Sequence, residues 1–416
     1  MDTTSPREEP SMGMRETATA MAGELTRLRH ALHGEPEIGL DLPRTQRKVL
    51  AALDGLPLEV ATGTALSSVT AVLRGGRPGP VVLLRGDMDA LPVTELSGVD
   101  YASRVDGAMH ACGHDMHVTM LVGAARLLAG CRDTLPGDVV FMFQPGEDGH
   151  GGATTMIAEG VLDAAGTHPV AAYALHVTSG TVPQGTFATR AGTIGAAVDT
   201  LEVTVRGAGG HASAPHRAKD PVPVGCEMVV ALQTMVTRRF DIFDPVVLTV
   251  GVFNAGTRDN VIPDSATFQA TVRTFSHASR ALIETESLRL VRSIAAAYGL
   301  DADARFVPGY PPTITDAAET RFAQHTVAEV FGEQRFQAME HPIAGAEDFS
   351  YVMAQVPGSF IRLGASPHGT DLAAAPSNHS PLAVFDDAVL PDGAALLAEL
   401  ASRRLVMAGG PTRTHQ

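Results

Sequence analysis

The sequence predicts an α/β layer fold whose chain is interrupted by an α+β insert, and three observations carry that prediction. The first is length: 416 residues exceed what one hydrophobic core organises, so two domains are expected. The second is a set of short apolar runs at 81–84, 139–143, 171–175 and 360–363, bounded by Gly, Pro or Asp, which read as buried strands. The third is a change of period in the middle, where 201–205 and 267–272 alternate apolar with polar side chains, as half-exposed antiparallel strands do.

Helical patterns at 118–129, 153–159 and 394–405 separate the buried runs, so both ends of the chain read as α/β layers. The alternating strands are accompanied by helical patterns at about 223–238 and 277–298. Four strands and two helices between Ile194 and Arg305 suggest a ferredoxin-like insert. The expected division is a catalytic domain over 15–193 and 307–408, split by an inserted domain over 194–306.

Composition narrows the function. With 44% hydrophobic and 19% charged residues the chain has ordinary globular usage, which argues against extensive disorder. A formal net charge of -15 disfavours nucleic acid, whose phosphates need clustered Lys and Arg. Cys112, Cys131 and Cys226 are too few and scattered for a disulfide framework, which suits a reducing compartment. Residues 1–14 are polar and read as a frayed tail with no apolar signal core, and no run is long enough to span a bilayer. A cytoplasmic protein without a membrane partner is the expectation.

Residues with metal and acid-base chemistry gather where strands end. After the 81–84 run come Asp87 and Asp89, at the strand's C-terminal edge, where open α/β sheets bind ligands. The densest cluster is His110, Cys112, His114, Asp115 and His117. If that segment is extended, His110, Cys112 and His114 share one face, and a thiolate beside imidazoles suits a transition metal. The next strand runs into Glu147-Asp148, adjacent carboxylates that repel each other unless a cation neutralises them. One then coordinates while the other serves as general base. The glycines around them are not a phosphate loop, because no Gly-Lys-Ser or Gly-Lys-Thr follows. His176 and His379 stand at strand or loop ends, and His211 lies in a glycine-rich turn of the insert. From the residues alone this is a metal hydrolase.

Taken in order, Arg85 to Pro92, Met109 to His117, Phe143 to Asp148, Gly209-Gly210-His211, Asn260 to Asp264, Gly345 to Phe349 and Asn378-His379-Ser380-Pro381 resemble one family. It is the dinuclear metallopeptidase and aminoacylase family that includes carboxypeptidase G. The branch most similar is that of the hippurate hydrolases and indoleacetyl-amino-acid amidohydrolases, in which a cysteine such as Cys112 replaces a bridging aspartate. The resemblance implies a mixed-sheet catalytic domain of zinc-exopeptidase type with an inserted ferredoxin-like dimerisation (lid) domain. It implies two divalent metal ions (Zn, Mn, Co or Ni) held by Cys112, His114, Asp148, His176 and His379, with Glu147 as general base. His211 would be an oxyanion donor acting from the partner chain of a homodimer, Asn260 and Arg273 would contact the substrate carboxylate, and Asp87 and Asp89 would orient ligands. Two features depart from the family pattern: the ligand position after Glu147 is the shorter Asp148, and a glycine precedes the base. The implied reaction is hydrolysis of an N-acyl amino acid. An exopeptidase of the same mechanism is the alternative, and a non-catalytic metal-containing binding protein, which has no need of Glu147, is the second.

Overall fold

The computed structural model describes residues 13–409. The polar tail read over 1–14 therefore lies largely outside the described residues; from Met14 the chain is helical, over Met14–Ala20. Two compact units emerge. The first comprises the described part of Met1–Ala191, Thr315–Glu340 and the described part of Val352–Gln416; the second comprises Gly192–Ile314 and His341–Tyr351.

The first unit is built on an eight-stranded mixed sheet in the order Leu58–Thr62, Val69–Leu73, Pro136–Gln144, Arg77–Asp87, Ala171–Thr178, Gly358–Gly364, Phe187–Thr189, Phe336–Ala338. The four central strands run parallel, and antiparallel pairings flank them. Parallel strands covered on both faces bury every side chain, which is why 81–84 and 139–143 are unbroken apolar runs. The short outer strands carry no such run, so the sequence left them unmarked. Helices His114–Gly130 and Leu390–Gly409 pack on each other and on the Arg77–Asp87 strand. Small residues let them approach: a Cβ on Gly123 would lie 2.6 Å from Ala394 Cβ.

The second unit follows the βαββαβ pattern. Strands Ala197–Arg206, Val246–Ala255, Ser265–Thr274 and Asp301–Pro308 form an antiparallel sheet in which Ser265–Thr274 and Ala197–Arg206 are central. Helices Pro221–Arg239 and His277–Ala297 pack together over a core that includes Leu201, Val203, Phe268 and Ile283. Asp220 caps the first of them, its carboxylate accepting from Val222 N–H at 3.0 Å with Pro221 at the first helical position. This is the ferredoxin-like topology expected for the middle of the chain. A two-residue ladder, Gly210–His211 against Val261–Ile262, is added to it.

Candidate metal centre

The first unit gathers its chemistry at the C-terminal edge of the parallel strands. Asp87 ends one strand, Glu147 and Asp148 follow the neighbouring strand on one side, and His176 stands near the end of the neighbour on the other. Cys112 and His114 enter from the loop before the His114–Gly130 helix. Leu91 and Met109 exchange backbone hydrogen bonds at 3.0 and 3.1 Å and so pin that loop beside Asp89. Gly113 takes φ +84, and a Cβ there would come within 2.4 Å of Val177 Cγ2, so only glycine fits between the two candidate ligands.

One sulfur lies at the middle of the cluster. Cys112 Sγ is 3.4 Å from His176 Nε2 and 3.3 Å from His379 Nε2. His379 Nε2 is 3.8 Å from Asp148 Oδ1, and His114 Nε2 is 4.0 Å from Asp148 Oδ2 and from Glu147 Oε2. Ligand atoms of Cys112, His114 and His176 all lie within 4.8 Å of one another, and so do those of Cys112, Asp148 and His379. Two overlapping cradles therefore share one thiol.

Hydrogen bonds decide which nitrogen each ring presents. His114 Nδ1 meets the Asp89 carbonyl at 2.9 Å and His176 Nδ1 meets the Val177 carbonyl at 2.7 Å. A carbonyl only accepts, so both rings carry hydrogen on Nδ1 and turn an Nε2 lone pair toward the cluster. Asp89 also accepts from the Glu147 and Asp148 N–H groups, each at 3.0 Å, so one residue holds a histidine and the carboxylate turn together. His117 is used up elsewhere. Its Nε2 accepts from Val177 N–H at 2.8 Å and its Nδ1 donates to Asp87 Oδ1 at 2.5 Å, leaving neither nitrogen for a metal. Burial alone would raise the Asp87 carboxyl, yet Arg85, His114 and His117 hold it well below the usual carboxylate range.

These residues fit a pair of cations. His114 Nε2 and Asp148 Oδ2 are buried polar atoms that form no hydrogen bond, an arrangement that is expensive unless something else satisfies them. Burial pushes the Cys112 thiol up to about 11, raises the Asp148 carboxyl and holds the His176 imidazole well below its ordinary value. A soft thiolate, three imidazoles and a carboxylate form a donor set suited to zinc or a neighbouring divalent metal.

His110 does not join this set, which corrects the expectation of an extended segment. The chain turns after His110 and enters the helix at His114, so alternation fails. The His110 ring lies 6.2 Å from that of His33. Asp115 also points away: its Oδ2 accepts from Arg29 Nε at 2.9 Å and His33 Nδ1 at 2.8 Å, in a buried charge cluster with Glu95 and Asp387.

His211, Asn260 and Arg273 belong to the second unit. His211 is paired with Val261, and Asn260 O accepts from Ala212 N–H at 3.1 Å, so the first two are neighbours. Ser213 N–H donates to His211 Nδ1 at 3.1 Å, and Ser213 Oγ lies 2.9 Å from the same nitrogen. A backbone N–H only donates; the neutral ring therefore carries its hydrogen on Nε2 and presents a donor. Arg273 is at the other end. It pairs with Val198, while Ser265 and Arg206, beside the His211 turn, pair at the opposite end of the ladder. At roughly 3.4 Å per residue, Arg273 lies about 27 Å along its strand from Ser265. One chain's second unit does not bring Asn260 and Arg273 to one point.

Sequence reasoning missed Asn378 and Arg362. Asn378 was visible only as part of a motif, because its partners are backbone groups. Arg362 is in register with His176 and donates to Thr178 Oγ1 at 2.7 Å; burial lowers its pKa, and the Cys112 sulfur works against that.

The model of peptidase family M20/M25/M40 matches residues 83–403. Thermostable carboxypeptidase 2 of Saccharolobus solfataricus is 36% identical over 91% of this chain and 94% of its own length. The IAA-amino acid hydrolase ILR1-like 2 of Arabidopsis thaliana is 35% identical over 92% of this chain and 85% of its own. A solved Bacillus subtilis structure, described as a dinuclear metal binding peptidase of the M20 family, superposes with a TM-score of 0.80 at 30% identity, covering 93% of this chain and 99% of that one. Among the described residues no helix is long and apolar enough to cross a membrane. The chain belongs to peptidase family M20/M25/M40, as a metal-dependent hydrolase of amide bonds.

Proposed function

We propose that the protein cleaves the amide bond of an N-acyl amino acid, hippurate-like or related, to a carboxylic acid and a free amino acid. The observation that carries this reading is the single thiol shared by two cradles with a buried glutamate beside them. In it, Cys112, His114, Asp148, His176 and His379 hold two divalent ions. When bound, such a pair lowers the pKa of a water toward about 7 and polarises the scissile carbonyl. Thiolate favours zinc, while imidazole and carboxylate also accept manganese, cobalt or nickel.

Glu147 is the general base in this reading. Its backbone is fixed by Asp89, so its carboxylate is held to take a proton from the attacking water and return it to the leaving amine. His211, with hydrogen on Nε2, has the tautomer needed to donate to the oxygen that gains negative charge. Arg273 suits a substrate carboxylate because a guanidinium grips two oxygens at once.

The separation of Asn260 from Arg273 within one chain supports a homodimer, in which His211 acts at the site of the partner chain. Val247, Val252 and Phe253 on the outer strand of the second sheet, and Val230 on its helix, are exposed apolar residues that a second copy would cover. Mixing His211→Ala with Glu147→Gln tests the arrangement. A heterodimer exchanging histidines has one whole site and regains activity, whereas no recovery with heterodimers present argues that each chain uses its own His211.

The similarity to a carboxypeptidase keeps short peptides as the second substrate class. The zinc- or manganese-loaded protein is assayed against N-benzoyl, N-acetyl and indoleacetyl amino acids and against unblocked dipeptides. The reading expects the higher kcat/KM on the N-acylated set; higher values on free dipeptides would make the protein an exopeptidase.

A further inference from the structure

We propose that Asn378 is a positioning residue of the metal centre, its one side-chain amide clamping together the three backbone segments that carry Cys112, His176 and His379. The inference rests on those three residues being ligands. Asn378 Nδ2 donates to the carbonyl of Cys112 and to that of Val177, both at 3.1 Å, and Oδ1 accepts from Ser179 N–H at 2.9 Å. The orientation of the amide is forced. An N–H only donates and a carbonyl only accepts, so the oxygen must face Ser179 and the nitrogen the two carbonyls.

Each partner sits next to a ligand. The Cys112 carbonyl belongs to the residue whose sulfur is common to both cradles. The Val177 carbonyl is the same atom that accepts from His176 Nδ1 at 2.7 Å, so the amide fixes the group that sets the His176 tautomer. His379 follows Asn378 directly and takes φ +71, the one positive φ of a non-glycine among the described residues. Its own N–H is tied to Ala111 O at 2.9 Å. A left-handed histidine persists only where its surroundings over-determine it, and the clamp on one side with Ala111 on the other provides that. The contacts converge on ligand placement, since loop stability alone would not require one amide to meet two ligand-bearing segments.

The test uses Asn378→Ala and the near-isosteric Asn378→Asp, which keeps the acceptor for Ser179 but loses both donations. Zinc affinity is measured by competition with a chelating chromophore, thermal stability is measured on chelator-treated protein, and the thiolate-to-metal absorption band is recorded after cobalt loading. Loss of an orienting group of this kind weakens metal binding about 10- to 100-fold. The expected result is a loss in that range in both variants with a shifted cobalt band. Parent-like affinity and an unchanged band, or a fall in thermal stability alone, overturn the proposal. Asn378→Asp stays interpretable if Asn378→Ala does not fold. Cys112→Ser separates the two layers: if it keeps the parent's zinc affinity, the ligand assignment has failed, not the clamp.

Discussion

Cys112 is buried, with His114, His176 and Asp148 around it braced by carbonyls, N–H groups or Asp89, whereas His211 is exposed on a two-residue ladder and its ring is held by Ser213. The first region resembles a site whose geometry is complete before anything binds, and the second a surface that acquires meaning from what docks on it. The difference predicts different failures. Changes in the first region should alter metal content or protonation, and changes in the second should alter rate while the metals stay.

The largest expected effect is that of Glu147→Gln, whose amide cannot accept a proton. Metal content stays at the parent level while turnover falls by about 10² to 10⁴. A rate within a few-fold of the parent would place the base elsewhere. His211→Ala should keep its metals as well and lose about 10² to 10³ in kcat, the usual consequence of removing one donor to a developing oxyanion. If that variant instead lost metal, the contrast between the two regions would collapse.

A third prediction concerns the brace behind the metal loop. Asp115 lies beside His114 in sequence and is paired with Arg29 and His33 in the interior. Asp115→Ala removes the carboxylate that both cations share and leaves Arg29 with Asp387 and His33 with Glu95, a loss at the low end of the about 3 to 5 kcal/mol that breaking a buried pair costs, read by denaturant unfolding. A change under 1 kcal/mol would mean that the cluster is solvated after all.

The same cluster gives a pH dependence. Burial opposes the charge on His33, but Asp115 and Glu95 outweigh it and lift the pKa to about 9 from 6.5. A group raised on folding stabilises fully below its unfolded value, so this contribution is present below about 6.5 and is lost as pH climbs through about 9. Melting temperature should decline over that window, and His33→Gln should flatten the decline; an equal slope in both proteins would contradict the assignment. The smallest effect is that of Ser213→Ala. It removes the Oγ contact to His211 Nδ1 while the Ser213 N–H still sets the tautomer, so kcat should fall a few-fold at most with KM unchanged, and no change would show that the N–H alone holds the ring.

How much of this the sequence disclosed follows from what each residue does. In the proposed centre Cys112, His114, Asp148, His176 and His379 act through their own side-chain atoms; clustering at strand ends marks Cys112, His114 and Asp148, whereas only the family resemblance singles out His176 and His379 as ligands. The parallel core was legible as well, since two-sided burial leaves unbroken apolar runs. Asn378 and His117 act on backbone groups of distant residues, such as Val177 N–H and the Cys112 carbonyl, and no spacing announces such partners. His110 was misread because one local conformation was assumed; the left-handed Gly113 that starts the helix makes alternation inapplicable. Arg273 and Asn260 had the right chemistry for one substrate, but only the strand register shows that Arg273 lies about 27 Å along its strand from Ser265, the end of the ladder nearest the His211 turn.

The central claim is that one thiol serves two ions. Anomalous scattering from crystals of zinc-loaded Glu147→Gln protein tests it most directly. The account predicts two peaks, roughly 3.5 to 4 Å apart and each about 2.3 Å from Cys112 Sγ. A single peak, or a pair of which one or both lie away from that sulfur, would contradict it.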